Sequence, residues 1–462
     1  MKLRAASVAC LPLVLLLTGC PLTDHYQLPD GAAGDSAGGQ AGAQSVGSGG
    51  DDLGTAGVAD AGEPSNAGGA NFTSGGGGGD TASAGGGSGG DMSCTITCNA
   101  KRSCVGNTCT SGWVEMAEPP LMLVARSKAA SVALGKSVFV WGGLDSAGAA
   151  LDNGAIYDPA LDSWKYVQKD PGSPSPRIMA TAVWTGSTSN KVIVYGGTDA
   201  SGATTYKDGA VYDVTDNSWA PLPPNPMASR RSAPFGYWDG TRAIFYGGLN
   251  GTIPVAGADR FDLKMWSVAM PAGDPGLLGS PATAVDGAQM YLQGGVIGST
   301  RQDKVYSYNS STDMWSSLSK GPSVRTGAFG AWDGTHFVVW GGQDDDGLRA
   351  DGKWLAGTTW TEMTPGGLSA RRIAFRRSGW AFQVNPGVIA IVGGLTSITG
   401  TGTLSTDGAT YAVESGQWTP IPSWTSLESH EYGIGVWTGE EFVVWGGRNQ
   451  NVATSTGQRW AP

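Results

Sequence analysis

The segment Ser137-Val-Phe-Val-Trp-Gly-Gly143 decides the fold, because its pattern returns six more times along the chain. In each copy a short, mostly apolar run is followed at once by two glycines. The first glycines of the seven pairs are Gly142, Gly196, Gly247, Gly294, Gly341, Gly393 and Gly446. They are 54, 51, 47, 47, 52 and 53 residues apart. A repeat of this length that carries one buried strand predicts a β-propeller, in which each repeat forms a blade.

Two further markers divide each repeat into four strands. After the glycines, an aromatic-Asp step precedes a tryptophan, as Tyr157-Asp158 precedes Trp164. Before the glycines, a basic residue lies seven positions ahead of a tryptophan that opens a turn, as Arg231 does before Trp238-Asp-Gly240. We therefore place the first strand after the Arg, the second at the apolar run, the third before Tyr-Asp and the fourth at the Trp. The apolar run suits a strand buried on both faces, and the glycine pair permits a sharp turn and close approach of the next blade.

This order of apolar run, Gly-Gly, Tyr-Asp and Trp resembles the kelch repeat, and it extends over residues 113–462, roughly three quarters of the chain. The resemblance implies an all-β fold, a seven-bladed kelch-type β-propeller of four-stranded antiparallel blades. The fourth-strand tryptophans are expected to fill the gaps between blades. Trp354-Leu355, Tyr411-Ala412 and Arg459-Trp460 replace the aromatic-Asp step in the last three repeats, so different packing is expected there.

The two ends of the repeat array are each incomplete. Trp113 precedes Gly142 by 29 residues, within the range of 26 to 33 that separates the other tryptophans from the next glycine pair, yet no repeat comes before it. The seventh repeat stops at Trp460-Ala-Pro462, before a fourth strand could form. We therefore expect Trp113-Val-Glu-Met116 to complete the last blade and to hide its edge. This gives a propeller domain over residues 112–462.

The N-terminus predicts export and a lipid anchor. Residues 1–19 carry Lys2 and Arg4 ahead of a short apolar stretch, which indicates a signal peptide rather than a membrane span. The stretch ends Leu17-Thr-Gly-Cys20, which resembles the bacterial lipoprotein cleavage box. That resemblance implies acylation of Cys20 and anchoring in a lipid bilayer; ordinary secretion with a spare cysteine is the alternative. Pro21 is not the Asp of inner-membrane retention, so we expect a cell-envelope protein of the outer membrane, periplasmic or surface-exposed.

Residues 20–92 are dominated by Gly, Ala, Ser and Asp, which predicts a disordered tether. The net charge of the whole chain is −10; the tether contributes −9 and the signal peptide +2, which leaves −3 for residues 93–462. A folded part without basic excess argues against nucleic acid as a partner. We expect a monomer.

Four cysteines, Cys94, Cys98, Cys104 and Cys109, cluster in the predicted segment 93–111. In an exported protein an even cluster of this kind indicates two disulfides, with three possible pairings left open. A four-thiolate zinc site is the alternative, although the spacing lacks paired two-residue knuckles.

One constellation could bind a ligand at an end of the central channel. Its members precede the innermost strands: Arg126, Arg177, Arg231, Arg325, Arg372 and His430. A ring of guanidinium groups could hold a carboxylate or a sialic acid bidentately. Pairing of the same arginines between blades is the competing, purely structural interpretation.

Other chemistry finds little support, and we assign no catalytic residue, cofactor or metal. Copper radical oxidases of the kelch type need a Tyr–Cys cross-link and His ligands, but no cysteine follows Cys109, and only His336 and His430 remain. The run Asp344-Asp-Asp-Gly347 offers oxygen ligands for Ca²⁺ without the full spacing of a calcium loop, so an exposed acidic loop is the simpler interpretation.

Two hypotheses on function follow. The first is an envelope-anchored, non-enzymatic binding module for a protein or glycan ligand. The second is an enzyme acting on an acidic sugar, similar to kelch-type sialic-acid mutarotases, at the Arg-lined channel mouth. Geometry separates them: open arginines beside a Glu or Tyr favour the enzyme, and arginines bonded to blade carbonyls or acids favour the binding module.

Overall fold

The computed structural model describes residues 103–105, 108–110, 112–225, 228–269, 273–276, 278–365, 379–394, 405–424, 432–449 and 452–462. Within these ranges the chain forms seven four-stranded antiparallel sheets, with strands in the order that each sequence repeat predicts. First strands of neighbouring blades contact one another, which places them around a central axis. The seven-bladed, all-β propeller is therefore confirmed. Blades are numbered here in chain order.

The strands of blades 1 to 4 have the following bounds. Blade 1 contains Ala130–Leu134, Ser137–Trp141, Gly154–Asp158 and Ser163–Val167. Blade 2 contains Thr181–Trp184, Lys191–Tyr195, Gly209–Asp213 and Ser218–Pro221. Blade 3 contains Phe235–Trp238, Ala243–Tyr246, Ala258–Phe261 and Trp266–Ala269. Blade 4 contains Ala282–Asp286, Gln289–Gln293, Val305–Asn309 and Met314–Ser317.

The remaining three blades follow the same order. Blade 5 contains Phe329–Trp332, Phe337–Trp340, Gly352–Ala356 and Thr359–Glu362. Blade 6 contains Trp380–Asn385, Val388–Val392, Gly408–Ala412 and Gln417–Ile421. Blade 7 contains Ile434–Trp437, Phe442–Trp445, Gly457–Trp460 and, from the N-terminal side, Trp113–Glu115.

Short hairpins and one short helix lie in the connections between the blade strands. Two-residue hairpins join the second and third strands of four blades: Leu249–Asn250 with Ile253–Pro254, Val296–Ile297 with Thr300–Arg301, Gln343–Asp344 with Gly347–Leu348, and Arg448–Asn449 with Val452–Ala453. A one-turn helix, Gly186–Ser189, lies in blade 2. Across the part of the chain that the structure describes, no helix is long and apolar enough to cross a membrane.

The strand order gives the propeller two different faces. Turns from the first to the second strand and from the third to the fourth lie at one face, here called the lower face. Loops from the second to the third strand, and the connections from one blade to the next, lie at the opposite, upper face. The glycine pairs and the arginines that precede the first strands therefore belong to the upper face.

The apolar run before each glycine pair is buried on both sides, as its composition predicts. In blade 1, Phe139 and Trp141 pack toward blade 2, whereas Val138 and Val140 pack toward blade 7. None of these four side chains is more than 1% exposed. Each contributes on the order of 2 kcal/mol through burial, so the second strand is the main hydrophobic link between neighbouring blades.

The aromatic-Asp step fixes the turn between the third and fourth strands. Tyr157 Oη donates a hydrogen bond of 2.5 Å to Asp162 Oδ1, and Asp158 Oδ1 accepts backbone N–H groups of the same turn. In blade 2, Tyr212 makes the equivalent bond of 2.6 Å to Asn217. Asp162 and Asn217 both have positive φ, a conformation that Asn and Asp tolerate better than most residues. The step therefore has a structural role in the turns of blades 1 and 2.

The tryptophan of the fourth strand ties its blade to the one before it. Trp219 Nε1 donates to Gln168 O at 3.0 Å, just beyond the last strand of blade 1, and its ring lies 5.6 Å from that of Trp141. Corresponding indole bonds join Trp164 to Ala117, Trp266 to Pro223, Trp360 to Ser319, Trp418 to Thr364 and Trp113 to Pro422. The prediction that these rings fill the gaps between blades is confirmed.

The N-terminal strand closes the ring. Trp113–Glu115 pairs antiparallel with Gly457–Trp460, and Trp113 lies opposite Trp460. The Met116 N–H donates to Gly457 O at 3.0 Å. The ring of Trp113 lies 5.1 Å from Trp424 and 6.1 Å from Phe442. Blade 7 thus combines three C-terminal strands with one N-terminal strand, as the incomplete repeats predict.

Strand register corrects the alignment of two repeats. In blade 1 the fourth-strand Trp164 faces Tyr157, and in blade 5 Trp360 faces Leu355. Leu355-Ala356, rather than Trp354-Leu355, therefore replaces the aromatic-Asp step. Blade 7 shifts in the same way, because Trp460 rather than Arg459 faces Trp113. Leucine has no hydroxyl with which to hold the turn, which is why this corner differs in blade 5.

Predictions for the N-terminal segments mostly lie outside the described residues. This applies to the signal peptide (1–19), the tether (20–92) and, within the cysteine segment 93–111, to Cys94 and Cys98. The described part of that segment is a hairpin of Ser103–Val105 and Thr108–Thr110, whose backbone register places Cys104 opposite Cys109.

Candidate functional site

We call the six residues predicted to lie before the innermost strands the collar. Arg126, Arg177, Arg231 and Arg325 lie in the described part of the chain, whereas Arg372 and His430 lie outside it. Each of the four stands four positions before the first strand of its blade. None is more than 1% exposed. Their guanidinium groups are therefore not displayed to solvent at the channel mouth.

Arg177 shows what these side chains do. Its Nη1 donates to Gly196 O at 3.0 Å and to Asp208 Oδ1 at 2.9 Å. Its Nη2 donates to Ser175 Oγ at 2.9 Å, and its Nε to the Ser175 carbonyl. The Tyr206 ring lies 4.4 Å from the guanidinium carbon and covers one of its faces. The side chain thus joins the connection before blade 2 to the glycine pair of that blade.

Arg325 repeats this arrangement in blade 5. Its Nη1 donates to Gly341 O at 2.9 Å, and its Nη2 donates to Ser323 Oγ and Asp351 Oδ2, both at 2.9 Å. Asp351 and Asp208 stand at the same place, directly before the third strand of their blades. The two arginines therefore have the same set of partners: a glycine carbonyl, a serine hydroxyl and a carboxylate.

Arg231 reaches a different acid. Its Nε donates to Asp259 Oδ2 at 2.6 Å, and its Nη1 donates to Gly247 O at 2.6 Å. Tyr195 Oη, from blade 2, donates to the same carboxylate oxygen at 3.1 Å. Asp259 is completely buried, and this burial raises the pKa of its carboxyl group above the ordinary value. The Arg231–Asp259 pair is consequently an interior contact of blade 3, and Tyr195 connects it to blade 2.

Arg126 has no carboxylate partner. Its Nη1 donates to Gly142 O at 3.0 Å and to Asn153 O at 2.9 Å, and its Nε donates to Val124 O at 3.1 Å. Burial lowers the pKa of this guanidinium to about 10, with a smaller opposing effect from Asp145 and Tyr166. Arg126 therefore remains charged at neutral pH.

The backbone of the same arginines holds the preceding blade. The Gly143 N–H of blade 1 donates to Arg177 O at 3.0 Å, and a Cβ on Gly142 would lie 2.8 Å from that oxygen. Equivalent bonds run from Gly197 to Arg231, Gly295 to Arg325 and Gly447 to Arg126. Each arginine therefore bonds to two blades. Its side chain donates to the glycine pair of its own blade, and its carbonyl accepts from the glycine pair of the previous blade; we call this arrangement the arginine clasp. Only glycine leaves room for this approach.

The strand register also shows which residue stands at the arginine position in the other repeats. In blade 4 the first strand begins at Ala282, so Leu278 takes the position of the arginine and packs in the core. In blade 6 the first strand begins at Trp380, and Arg372, the residue expected from sequence, lies outside the described residues.

Other candidate residues are engaged in local contacts. His336 Nδ1 lies 2.9 Å from Asp333 Oδ2, within a lower-face turn, and its ring lies 4.6 Å from that of Trp354. In the acidic run, Asp344 and Asp346 pair with Arg349, and Asp345 pairs with Arg301 of the neighbouring hairpin. Within the described ranges, no group of three or more His, Cys, Asp or Glu side chains could hold a metal ion.

A cavity of about 300 Å³ lies at the outer rim between blades 2 and 3. Trp219, Phe261 and Pro221 contribute apolar surface to it. Lys191 and Asp213, which also line it, form an ion pair with each other, and the Lys191 ammonium lowers the pKa of Asp213. The cavity thus offers an apolar surface with a paired, not a free, charge.

Sequence reasoning missed the partners of the arginines. Asp208, Asp351 and Asp259 follow their arginines by 31, 26 and 28 residues and stand before or inside the third strand. An Asp directly ahead of a Gly that opens the third strand was the available signal for the first two. A search against models of known protein families and a search against curated proteins both find no match for this chain.

Proposed function

We propose that this protein is an envelope-anchored propeller lipoprotein of the kelch type that binds a protein or glycan ligand without transforming it. The kelch type is supported by the glycine pairs, Tyr-Asp steps and tryptophans, which occupy equivalent positions in successive blades. The lipid anchor is supported by the sequence around Cys20.

The observation that carries the proposal is the distribution of exposed apolar side chains. Among the described residues, large exposed hydrophobic side chains belong to the upper-face loops in seven cases: Leu121, Met122, Val124, Ile253, Ile297, Val324 and Val452. Three stand at lower-face turns: Leu161, Met265 and Met314. Exposed apolar residues on loops held by a rigid scaffold are typical of interaction surfaces.

The described arginines do not provide the site that the enzymatic alternative requires. It needs free guanidinium groups beside a carboxylate or a tyrosine, whereas Arg177, Arg231 and Arg325 are buried and already paired with acids. We therefore expect no turnover of sialylated substrates and no acceleration of sialic-acid mutarotation.

The test compares two matched surfaces on the full-length protein. Leu121→Ser, Ile253→Ser and Val452→Ser are combined in an upper-face variant; Leu161→Ser, Met265→Ser and Met314→Ser form the lower-face control. Both are used in envelope pull-downs and on glycan arrays. The upper-face variant should bind at least about tenfold more weakly than wild type, since interface energy is concentrated in few residues. Equal loss in both variants would contradict an upper-face site.

The anchor has a separate test. The full-length protein expressed in a Gram-negative host should incorporate labelled palmitate and sediment with the envelope, and Cys20→Ser should do neither. Palmitate incorporation in the Cys20→Ser variant would overturn acylation at this residue.

A further inference from the structure

Arg126 is the one described collar arginine without a carboxylate, and the internal repeats show what it lacks. Arg177 and Arg325 each bind an Asp placed directly before the third strand, Asp208 or Asp351. In blade 1 that position is Asn153.

A second partner is replaced as well. The Nη2 atoms of Arg177 and Arg325 donate to the hydroxyls of Ser175 and Ser323, two residues earlier. In blade 1 that position is Val124. As a result, Arg126 Nη2 and Asn153 Oδ1 are both buried and make no hydrogen bond.

The two unpaired atoms belong to residues in direct contact, since Arg126 Nη1 donates to the Asn153 carbonyl at 2.9 Å. One atom is a charged donor and the other is a neutral acceptor. A buried charge without a counter-charge is unfavourable, and each unmet hydrogen bond adds to the cost. An anion that carries an N–H donor next to its charge would satisfy both atoms.

A short, mostly apolar segment is bonded by both side chains, and we call it the strap (residues 119–125). Its turn is closed by the Leu123 N–H, which donates to Pro120 O at 2.7 Å, and Leu123 itself is buried in the core. Leu121, Met122 and Val124 point outward, 100%, 64% and 43% exposed. The Asn153 side chain holds the strap through one bond of 2.9 Å, from Nδ2 to Met122 O.

We propose that Arg126, Asn153 and the strap form a binding site for the C-terminus of a polypeptide that ends in an apolar residue. The terminal carboxylate accepts from Arg126 Nη2, in the role that Asp208 and Asp351 play in their blades. The last amide N–H of the peptide donates to Asn153 Oδ1, and the terminal side chain lies against Met122 and Val124. Entry requires the strap to lift at Met122. This inference deepens the proposed binding function and depends on it.

The test uses the full-length protein and two probe peptides, acetyl-Gly-Ala-Val-Leu with a free carboxylate and the same peptide with a C-terminal amide. Isothermal titration should show binding of the acid and at least about tenfold weaker binding of the amide, because a charge-assisted hydrogen bond is lost. N153D supplies an internal carboxylate to Arg126; it should abolish acid binding and raise the Tm of the free protein. V124S supplies the missing hydroxyl and should weaken acid binding.

Asp208→Asn is the matched control, because it makes the same exchange in blade 2, where Ser175 remains. It should lower the Tm and leave peptide binding unchanged. Equal binding of acid and amide, or unchanged binding by N153D, would overturn the proposal. So would the absence of acid binding to wild type while N153D still raises the Tm, since a buried water would then satisfy Arg126. If neither peptide binds but the upper-face variant still captures less envelope material than wild type, the C-terminus site is refuted and the proposed binding function is retained.

Discussion

Among single residues, the arginine before the first strand has the widest structural effect. Its side chain donates to a glycine carbonyl of its own blade, as Arg231 does to Gly247. Its carbonyl accepts from a glycine of the preceding blade, as that of Arg231 does from Gly197. One residue type thus sets the spacing of adjacent blades, and the glycine pair is needed because the carbonyl approaches where a Cβ would stand.

Gly196→Ala tests this contact. The Gly196 φ is +71°, and an added Cβ would lie 2.3 Å from Arg231 O. We expect about 1–2 kcal/mol from the left-handed backbone and about 1–3 kcal/mol from the forced displacement. Gly202→Ala is the control, because its φ is +76° with no atom within 4 Å, and it should show only the first cost. Equal urea midpoints for the two variants would rule out the close contact.

Arg231→Met should make the stability depend on pH. It leaves Asp259 buried without its counter-charge, at a cost of about 3–5 kcal/mol at neutral pH. Burial already raises the pKa of Asp259 in the folded protein, and loss of the arginine raises it further. The folded state then holds the proton more tightly than the unfolded chain, so the variant is most stable below about pH 4 and loses stability as the pH rises.

Urea unfolding between pH 4 and 7 measures this effect. The penalty of Arg231→Met relative to wild type should grow with pH, and the double variant Arg231→Met/Asp259→Leu should recover most of it. A penalty that is the same at both ends of the range would contradict the buried ion pair.

The candidate site was only partly predictable from sequence. Its arginines could be placed at the upper end of the first strands because the spacing to a tryptophan repeats. Their burial could not be predicted, since it depends on acids such as Asp208 and Asp259, which come from different strand positions and approach only when the blade closes. The unpaired Nη2 atom of Arg126 could not be predicted either, because it follows from Asn153 and Val124 standing where blade 2 has Asp208 and Ser175.

Among the strands of the seven blades, the shortest one has the largest consequence. Trp113–Glu115 has three residues, yet it gives blade 7 its fourth strand and pairs the two ends of the domain. Sequence predicted this strand because both ends of the repeat array were incomplete. Sequence misplaced the register of blade 5 by one residue, because Trp354 resembles the usual aromatic more than Leu355 does, whereas the pairing with Trp360 is what fixes the position.

A pair of truncations measures the contribution of this strand. A chain that starts at residue 112 keeps it, and a chain that starts at residue 119 lacks it. Loss of the strand removes the ring of Trp113, which packs against Trp424 and Phe442, and exposes an edge that can pair with other chains. The shorter chain should melt roughly 10 °C or more below the longer one and should aggregate. Coincident melts would contradict closure by this strand.

At the largest scale, the described propeller is a ring whose last junction, between blades 7 and 1, is built like the others. Every blade meets its neighbours through the same contacts: the second-strand core, the fourth-strand tryptophan and, in most described blades, the arginine clasp. The junction of blades 7 and 1 uses these contacts too, since Gly447 binds Arg126 O and Trp164 binds Ala117 O. Stability is therefore spread around the ring, and the position of the chain ends should matter little.

A circular permutant tests this. The chain begins at residue 119, runs to Pro462 and continues through a linker of about four residues into residues 112–118, because Trp460 and Trp113 are cross-strand partners. It should unfold in one transition at nearly the Tm of the chain that starts at residue 112. The same chain without the appended strand is the control. Separate transitions in the permutant would show that the order of the ends matters.

The course of the closing strand also has a mechanical consequence. It runs from the lower face at Trp113 toward the upper face, and antiparallel hydrogen bonds stand perpendicular to the strands they join. A pull on the N-terminal segment, opposed by a grip on the upper face, acts along the strand axis. Its bonds to Gly457–Trp460 are then loaded in shear, all at once, and do not unzip one after another. The closing strand therefore resists tension along its own axis better than a force that peels it from one end. If the proposed anchor and an upper-face ligand pull on the domain, they load the strand in this resistant direction.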